Sequence, residues 1–246
     1  IKFSKQAEKD KIKVAYAASG IGGELKPELE KVFSEILPTF DAVSVREKNA
    51  CDLLKPLYKK DIYHVCDPVL LLSAQEWDEV CAPRIVEEKY VFCYFLGEDK
   101  KFRKLAVSFA KKNSFKLIYI PCLKGRYCSA DEIFGKSAFV NAAPGDFISL
   151  IKNAEYVFTD SFHVSVFSTI YHKQFFVFKR SDTGGIERIL NITRLADAEH
   201  HLLCKKSELK IEHLTALPPI SFEETDEKVE KFRKYSVEFL KNALND

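Results

Sequence analysis

Apolar residues along this chain follow two rhythms. Short unbroken runs read as buried strands, and apolar positions spaced three and four apart read as amphipathic helices. Lys13 to Ser19 is the first strand-like run, and Gly20-Ile21-Gly22-Gly23 breaks it as a loop. From Glu24 to Leu37 the rhythm is helical, placing Leu25, Leu29, Val32, Phe33 and Ile36 on one face. Asp41 to Val45 is a second short strand, a helix follows to about Leu57, and His64-Val65-Cys66 is a third strand closed by Asp67-Pro68. Strand, helix, strand, helix, strand is the order of a parallel sheet.

Val69 to Leu72 reads as a connection, followed by a short helix over Ala74 to Val80 capped by Ser73. A second strand–helix series then opens. Tyr90 to Leu96 is a strand, Asp99 to Lys112 a helix, and Lys116 to Ile120 a strand broken by Pro121. Phe139-Val140 reads as a short strand, and Asp146 as the cap of a helix through Ala154. Tyr156 to Phe158 is the next strand, and Phe162, Val166, Phe167 and Ile170 restore the helical spacing. Phe175 to Phe178, a loop at Ser181 to Gly185 and a short helix from Ile186 to Ile192 follow. Phe222 to Leu244 closes the chain as an amphipathic helix with Val229, Phe232, Phe239, Leu240 and Ala243 inward. The pattern predicts an α/β fold with mostly parallel sheets, in domains of about 1–72 and 73–221.

Composition narrows the classes. Hydrophobic residues make up 46% and charged residues 30% of the 246, enough for a buried core. A net charge of +2 gives no argument for nucleic acid or a membrane surface. No apolar run reaches the ~20 residues that span a bilayer. The polar opening Ile1-Lys2-Phe3-Ser4-Lys5 has no signal-peptide character. Seven cysteines, at 51, 66, 81, 93, 122, 128 and 204, form no Cys-x-x-Cys pair. That odd, scattered set predicts reduced thiols and a cytoplasmic location.

The sharpest chemical signal is Thr159-Asp160-Ser161, where a buried strand stops and a helix begins. Asp160 or Ser161 is a good N-cap, which puts His163 in the first helical turn. Ligands of open α/β sheets bind at the carboxyl ends of the strands, and a helix N-terminus offers unpaired N–H groups to an anion. A satisfied core histidine is the alternative.

Arg46 ends the strand Ala42 to Val45 and carries a planar fork suited to carboxylate or phosphate. Its alternative is a surface ion pair with Glu47 or Glu35. The glycines at 20, 22 and 23 have the context of a phosphate loop but the wrong spacing for a dinucleotide, so a plain turn is expected. His200, His201 and His213 read as a solvated loop, with no metal assigned. Lys100 to Lys104 reads as the wet face of a helix. Neither a Gly-x-Ser-x-Gly elbow nor a P-loop occurs.

Four blocks, taken in order, carry a resemblance. They are Tyr16-Ala17-Ala18-Ser19, Phe40-Asp41-Ala42-Val43-Ser44-Val45-Arg46-Glu47, Val65-Cys66-Asp67-Pro68-Val69-Leu70-Leu71, and the run from Asn153 to His163. In residue type, order and spacing the chain closely resembles the polysaccharide pyruvyl transferase family. The resemblance implies two Rossmann-like domains of the GT-B type, with the first lacking the strands and helices that would precede Lys13. The last helix, 222–246, would pack back on that first domain.

It also implies transfer of the enolpyruvyl group of phosphoenolpyruvate onto a sugar of a bacterial cell-surface polysaccharide, forming a pyruvate ketal. The partners implied are phosphoenolpyruvate and a glycan or lipid-linked sugar acceptor, with no separate cofactor and no nucleic acid. His163 would be the acid/base, and Arg46, Ser161, Asp160 and Ser19 would line the substrate site. Replacing Arg46 would weaken an anionic donor's binding and leave folding nearly unchanged. Ser161 departs from the family's better-known branches, which carry arginine there, so Arg180, Arg126 and Arg188 are candidates to replace that cation. Two other functions fit the same pattern: a GT-B-like transferase with a nucleotide-sugar donor, and a non-catalytic binding module.

Overall fold

The computed structural model describes residues 11–20, 25–121, 128–135, 142–180 and 186–245. The loop at 21–23, the strand expected at Phe139-Val140, the loop at 181–185 and Arg126 lie outside the described residues. The chain divides into two compact units, one of residues 1–71 with 230–246, the other of residues 72–229.

The first unit holds β1 (Val14–Ala18), α1 (Pro27–Ile36), β2 (Ala42–Val45), α2 (Lys48–Leu54) and β3 (Ile62–His64). Its sheet runs β1-β2-β3, with both pairings parallel among the described residues. Pro27 opens α1 at a position where its missing N–H costs nothing. The face read from the sequence is corrected here. Phe33 and Leu37 are buried, but Leu29 and Val32 remain 41% and 43% exposed. The third strand also sits earlier than its apolar run, ending at His64, while Val65 and Cys66 form buried core just beyond it.

The second unit holds α3 (Ala74–Asp78), β4 (Tyr90–Tyr94), α4 (Lys100–Lys112), β5 (Lys116–Tyr119), α5 (Pro144–Lys152), β6 (Tyr156–Thr159) and α6 (Phe162–Ile170). After these come β7 (Gln174–Phe178), α7 (Ile186–Leu195), β8 (Leu202–Leu203) and α8 (Ile211–Ala216). Ser73 caps α3 in a reciprocal capping box with Glu76. Asp146 is not the cap of α5; it sits one turn in, and its carboxylate accepts the N–H of the cap residue Ala143.

The sheet order is β5-β4-β6-β7-β8, all parallel. The connection after β4 leads to β5 at one edge and the connection after β6 leads to β7 toward the other, so the strand order reverses between β4 and β6. At such a switch point the loops after neighbouring strands part and leave a crevice at their carboxyl ends. The core beneath it is aromatic, with Phe95, Phe102, Phe109, Phe158, Phe176 and Phe178 packed together.

The closing helix α9 (Thr225–Asn245) has residues up to Val229 in the second unit and residues from Glu230 in the first. Within the first unit Phe239 packs on Val65 and Ala17, and Ser236 accepts the Cys66 N–H at 2.9 Å. No helix among the described residues is long and apolar enough to cross a membrane.

Candidate functional site

In the second unit the crevice at the switch point is built from loops that follow three strands. Thr159, the last residue of β6, donates its hydroxyl to Tyr94 O at 2.7 Å and accepts the Ser161 N–H at 2.9 Å. This clamp turns the chain sharply out of the sheet and starts α6 at Phe162. Ser161 occupies the N-cap position, but its side chain makes no capping bond, against the expectation from its type. Asp160, the other expected cap, faces sideways instead. Its Oδ1 accepts the Leu96 N–H at 2.6 Å and its Oδ2 the Gly97 N–H at 2.8 Å, both in the turn after β4.

His163 is exposed in the first turn of α6, with its ring edge-on to Phe162 at 5.2 Å. The core-histidine alternative therefore does not describe it. Phe162 also lies beneath the guanidinium of Arg188, 5.7 Å from ring centroid to guanidinium carbon. Around these residues a cleft of about 90 Å³ is lined by Leu96, Asp160, Ser161, Phe162, His163, Lys179, Arg180, Ile186, Arg188 and Ile189. Three cations thus line the cleft with one carboxylate. Burial pushes the Asp160 carboxyl upward, and the two N–H donors with the Arg180 charge work against that shift. The combination of α6 N-terminus, Lys179, Arg180 and Arg188 can hold an anion beside an exposed imidazole.

In the first unit a second cluster sits at the strand carboxyl ends. Arg46, just after β2, is ion-paired through Nη1 with Asp67 Oδ2, and Asp67 Oδ1 accepts the Val69 N–H at 3.0 Å. Asp67 is thus a partner of Arg46 that lies 21 residues along the chain. Ser19 donates its hydroxyl to Glu47 Oε1 at 2.6 Å, and Glu47 is buried at the start of α2. His64 closes β3 with its ring 5.1 Å from Phe232, and burial lowers its pKa.

The predicted residues thus fall on two units, with Ser19 and Arg46 on the first and Asp160, Ser161 and His163 on the second. Asp160 lines the cleft with each of its oxygens accepting one backbone N–H, which fixes the carboxylate and leaves a lone pair on each oxygen. Lys179 and Gly97 escaped the sequence reading. Their signal was positional, since each follows a strand at its carboxyl end. The histidine tract also needs correction. His201 is no solvated loop residue; it is 2% exposed, stacked on Phe176, with Nδ1 2.8 Å from Phe175 O and Nε2 2.9 Å from Pro218 O. Arg103 is likewise not on a wet face but fully buried, bonded through Nε to Asp131 at 2.6 Å.

Comparison with solved structures shows the fold. The UDP-GlcNAc 2-epimerase from Neisseria meningitidis bound to UDP-GlcNAc superposes with a TM-score of 0.56 at 14% identity, over 85% of this chain and 62% of that one. A Listeria monocytogenes protein assigned as a UDP-N-acetylglucosamine 2-epimerase gives 0.51 at 12% identity, over 80% and 54%. The chain therefore spans 54% and 62% of the lengths of these two structures. At such identities the likeness supports a GT-B-like α/β fold of two Rossmann-like units and nothing about substrate. No curated protein matches the sequence. The family model described as polysaccharide pyruvyl transferase matches residues 1–182, a stretch that contains β1 to β7 and with them Ser19, Arg46, Asp160, Ser161 and His163. With most of its length covered in this way, the chain belongs to the polysaccharide pyruvyl transferase family.

Proposed function

We propose that this protein transfers the enolpyruvyl group of phosphoenolpyruvate onto a sugar of a cell-surface glycan, forming a pyruvate ketal and releasing phosphate. The observation that carries this reading is the cleft in which Lys179, Arg180 and Arg188 meet the exposed His163 at the N-terminus of α6. The donor bears a phosphate and a carboxylate, and planar arginine forks with helix N–H groups are the usual protein answer to both. Arg180 and Arg188 supply the cations that Ser161 does not.

The chemistry needs a proton delivered and protons removed. Protonation of the donor's methylene carbon leaves an oxocarbenium-like centre at its neighbour. One sugar hydroxyl adds there, phosphate departs, and a second hydroxyl closes the ketal. Two hydroxyl protons are lost, one balancing the methylene's gain and one leaving with phosphate. His163 is the acid/base for these transfers, since imidazole exchanges protons near neutral pH. Lys179, Arg180 and Arg188 hold the donor and stabilise the departing phosphate. Arg46 and Ser19 are proposed as substrate contacts of the first unit, with Asp67 and Glu47 orienting them. The acceptor is a glycan or lipid-linked sugar, the reaction needs no further cofactor, and it runs in the cytoplasm.

The test is direct. Purified protein is incubated with phosphoenolpyruvate and a panel of oligosaccharides, and phosphate release and the mass of the sugar are followed. Phosphate released in step with a ketal-bearing sugar supports the proposal. Consumption of a nucleotide-sugar with phosphoenolpyruvate untouched would replace it with glycosyl transfer.

A further inference from the structure

Asp160 lines an anion cleft, and a carboxylate there repels the ligand the cleft is proposed to bind. Its surroundings explain why it stays. Its two oxygens are pinned by consecutive N–H groups, Leu96 at 2.6 Å and Gly97 at 2.8 Å, so both the carboxylate plane and the turn after β4 are fixed. Gly97 then has no room for a side chain. A Cβ built there would lie 2.9 Å from Asp160 Oδ2 and 3.3 and 3.5 Å from Cδ and Cγ of Arg180. The stem of Arg180 therefore lies across the glycine, beside the carboxylate, and its charge offsets part of the cost of burying Asp160. Three residues from the ends of β4, β6 and β7 make one packed unit.

Resting on the anion-site reading above, we propose that Gly97 and Asp160 place Arg180 at the mouth of the cleft. Asp160 is then a positioning residue that serves the anion by fixing a cation, and Gly97 is required because any side chain would push on the Asp160 carboxylate first and press on the arginine stem beside it. Two consequences run against the simpler alternatives. Removing the negative charge of Asp160 should weaken anion binding, whereas a carboxylate that merely sat near the ligand would, once neutralised, let the anion bind more tightly. The effect of a side chain at position 97 should also act through Arg180 and vanish when Arg180 is gone.

The experiment titrates the full chain with inorganic phosphate by calorimetry, for wild type, Gly97→Ala, Asp160→Asn, Arg180→Ala and the double variant Gly97→Ala/Arg180→Ala. Each single variant is expected to lose affinity about tenfold, the scale of one charged hydrogen bond, and the double variant to bind no more weakly than Arg180→Ala. Additive losses in the double variant, or tighter phosphate binding by Asp160→Asn, would overturn the proposal. If circular dichroism shows Gly97→Ala unfolded, the sign of the Asp160→Asn effect decides alone. If Asp160→Asn also fails to fold, the same titration of Arg180→Lys decides. That variant keeps the charge and stem, so affinity near wild type upholds a fixed stem and a loss equal to that of Arg180→Ala overturns it. A wild type that binds no phosphate sinks both the cleft and this inference. Intact coupling without turnover of phosphoenolpyruvate sinks only the donor assignment.

Discussion

The Arg46 guanidinium is ion-paired with Asp67, whose side chain is only 2% exposed. A nearly buried carboxylate left without its cation carries a large desolvation cost. Arg46→Ala is therefore expected to destabilise the protein by about 3 kcal/mol, and not to leave folding unchanged as the sequence alone implied. Urea unfolding measures the loss. The double variant Arg46→Met/Asp67→Leu should regain much of it, because no lone charge stays buried. A single variant as stable as wild type would show that the pair adds nothing.

His163 stands exposed in the first turn of α6, so its removal opens no cavity in the core. His163→Ala is expected to lower turnover by roughly 10²–10⁴-fold, the range for a lost acid/base. Its unfolding free energy should stay within about 0.5 kcal/mol of wild type, as for exposed positions generally. Full turnover in this variant would move the acid/base role elsewhere.

Arg103 is fully buried within α4, with Nε on Asp131, Nη1 on Asp99 O at 3.2 Å and its guanidinium over the Phe95 ring at 5.1 Å. Arg103→Met should cost roughly 3–5 kcal/mol, because Asp131 would then be a buried charge without a partner. Arg103→Met combined with Asp131→Leu should recover most of that stability. The comparison of the two melting temperatures tests it.

Burial lowers the pKa of His201 below its ordinary 6.5. Between 6.5 and that lower value the unfolded chain binds more protons than the folded one. Stability should therefore fall as pH drops through this window and be fully present above it. His64, also lowered by burial, adds a slope of the same sign. Unfolding midpoints measured from neutral to mildly acidic pH should decline, and His201→Phe should flatten the decline even though it unfolds more readily at every pH. A slope equal to wild type in that variant would remove His201 from the acid response.

Much of the architecture was written locally. Strands show as short unbroken apolar runs because these parallel strands are buried on both faces, helices show as a period of 3.6 because each buries one face, and β4, β6 and α4 to α7 lie close to where their apolar rhythm put them. Two short elements, β8 and α8, were not read from the sequence, and β3 slid because Val65 and Cys66 are as apolar as a strand but pack beyond its end. The exposed Leu29 and Val32 show that an apolar stripe states a capacity for burial and not its outcome.

The site divides in the same way. His163 was placed from sequence because a strand ending in Thr159-Asp160-Ser161 and running into a helix is a local event. The contribution of the turn after β4 was not, because Leu96 and Gly97 lie 64 and 63 residues from Asp160, and only the order β5-β4-β6-β7-β8 sets their loops side by side. Whether a charged side chain meets solvent or a buried partner is settled the same way. The sequence by itself determined most of the strands and helices and that a histidine starts α6, since those depend on neighbours a few residues away. The tertiary structure alone decided that Arg103 is buried, that Arg46 pairs with Asp67, and that Gly97, Asp160 and Arg180 share one crevice, since those depend on which strands pair.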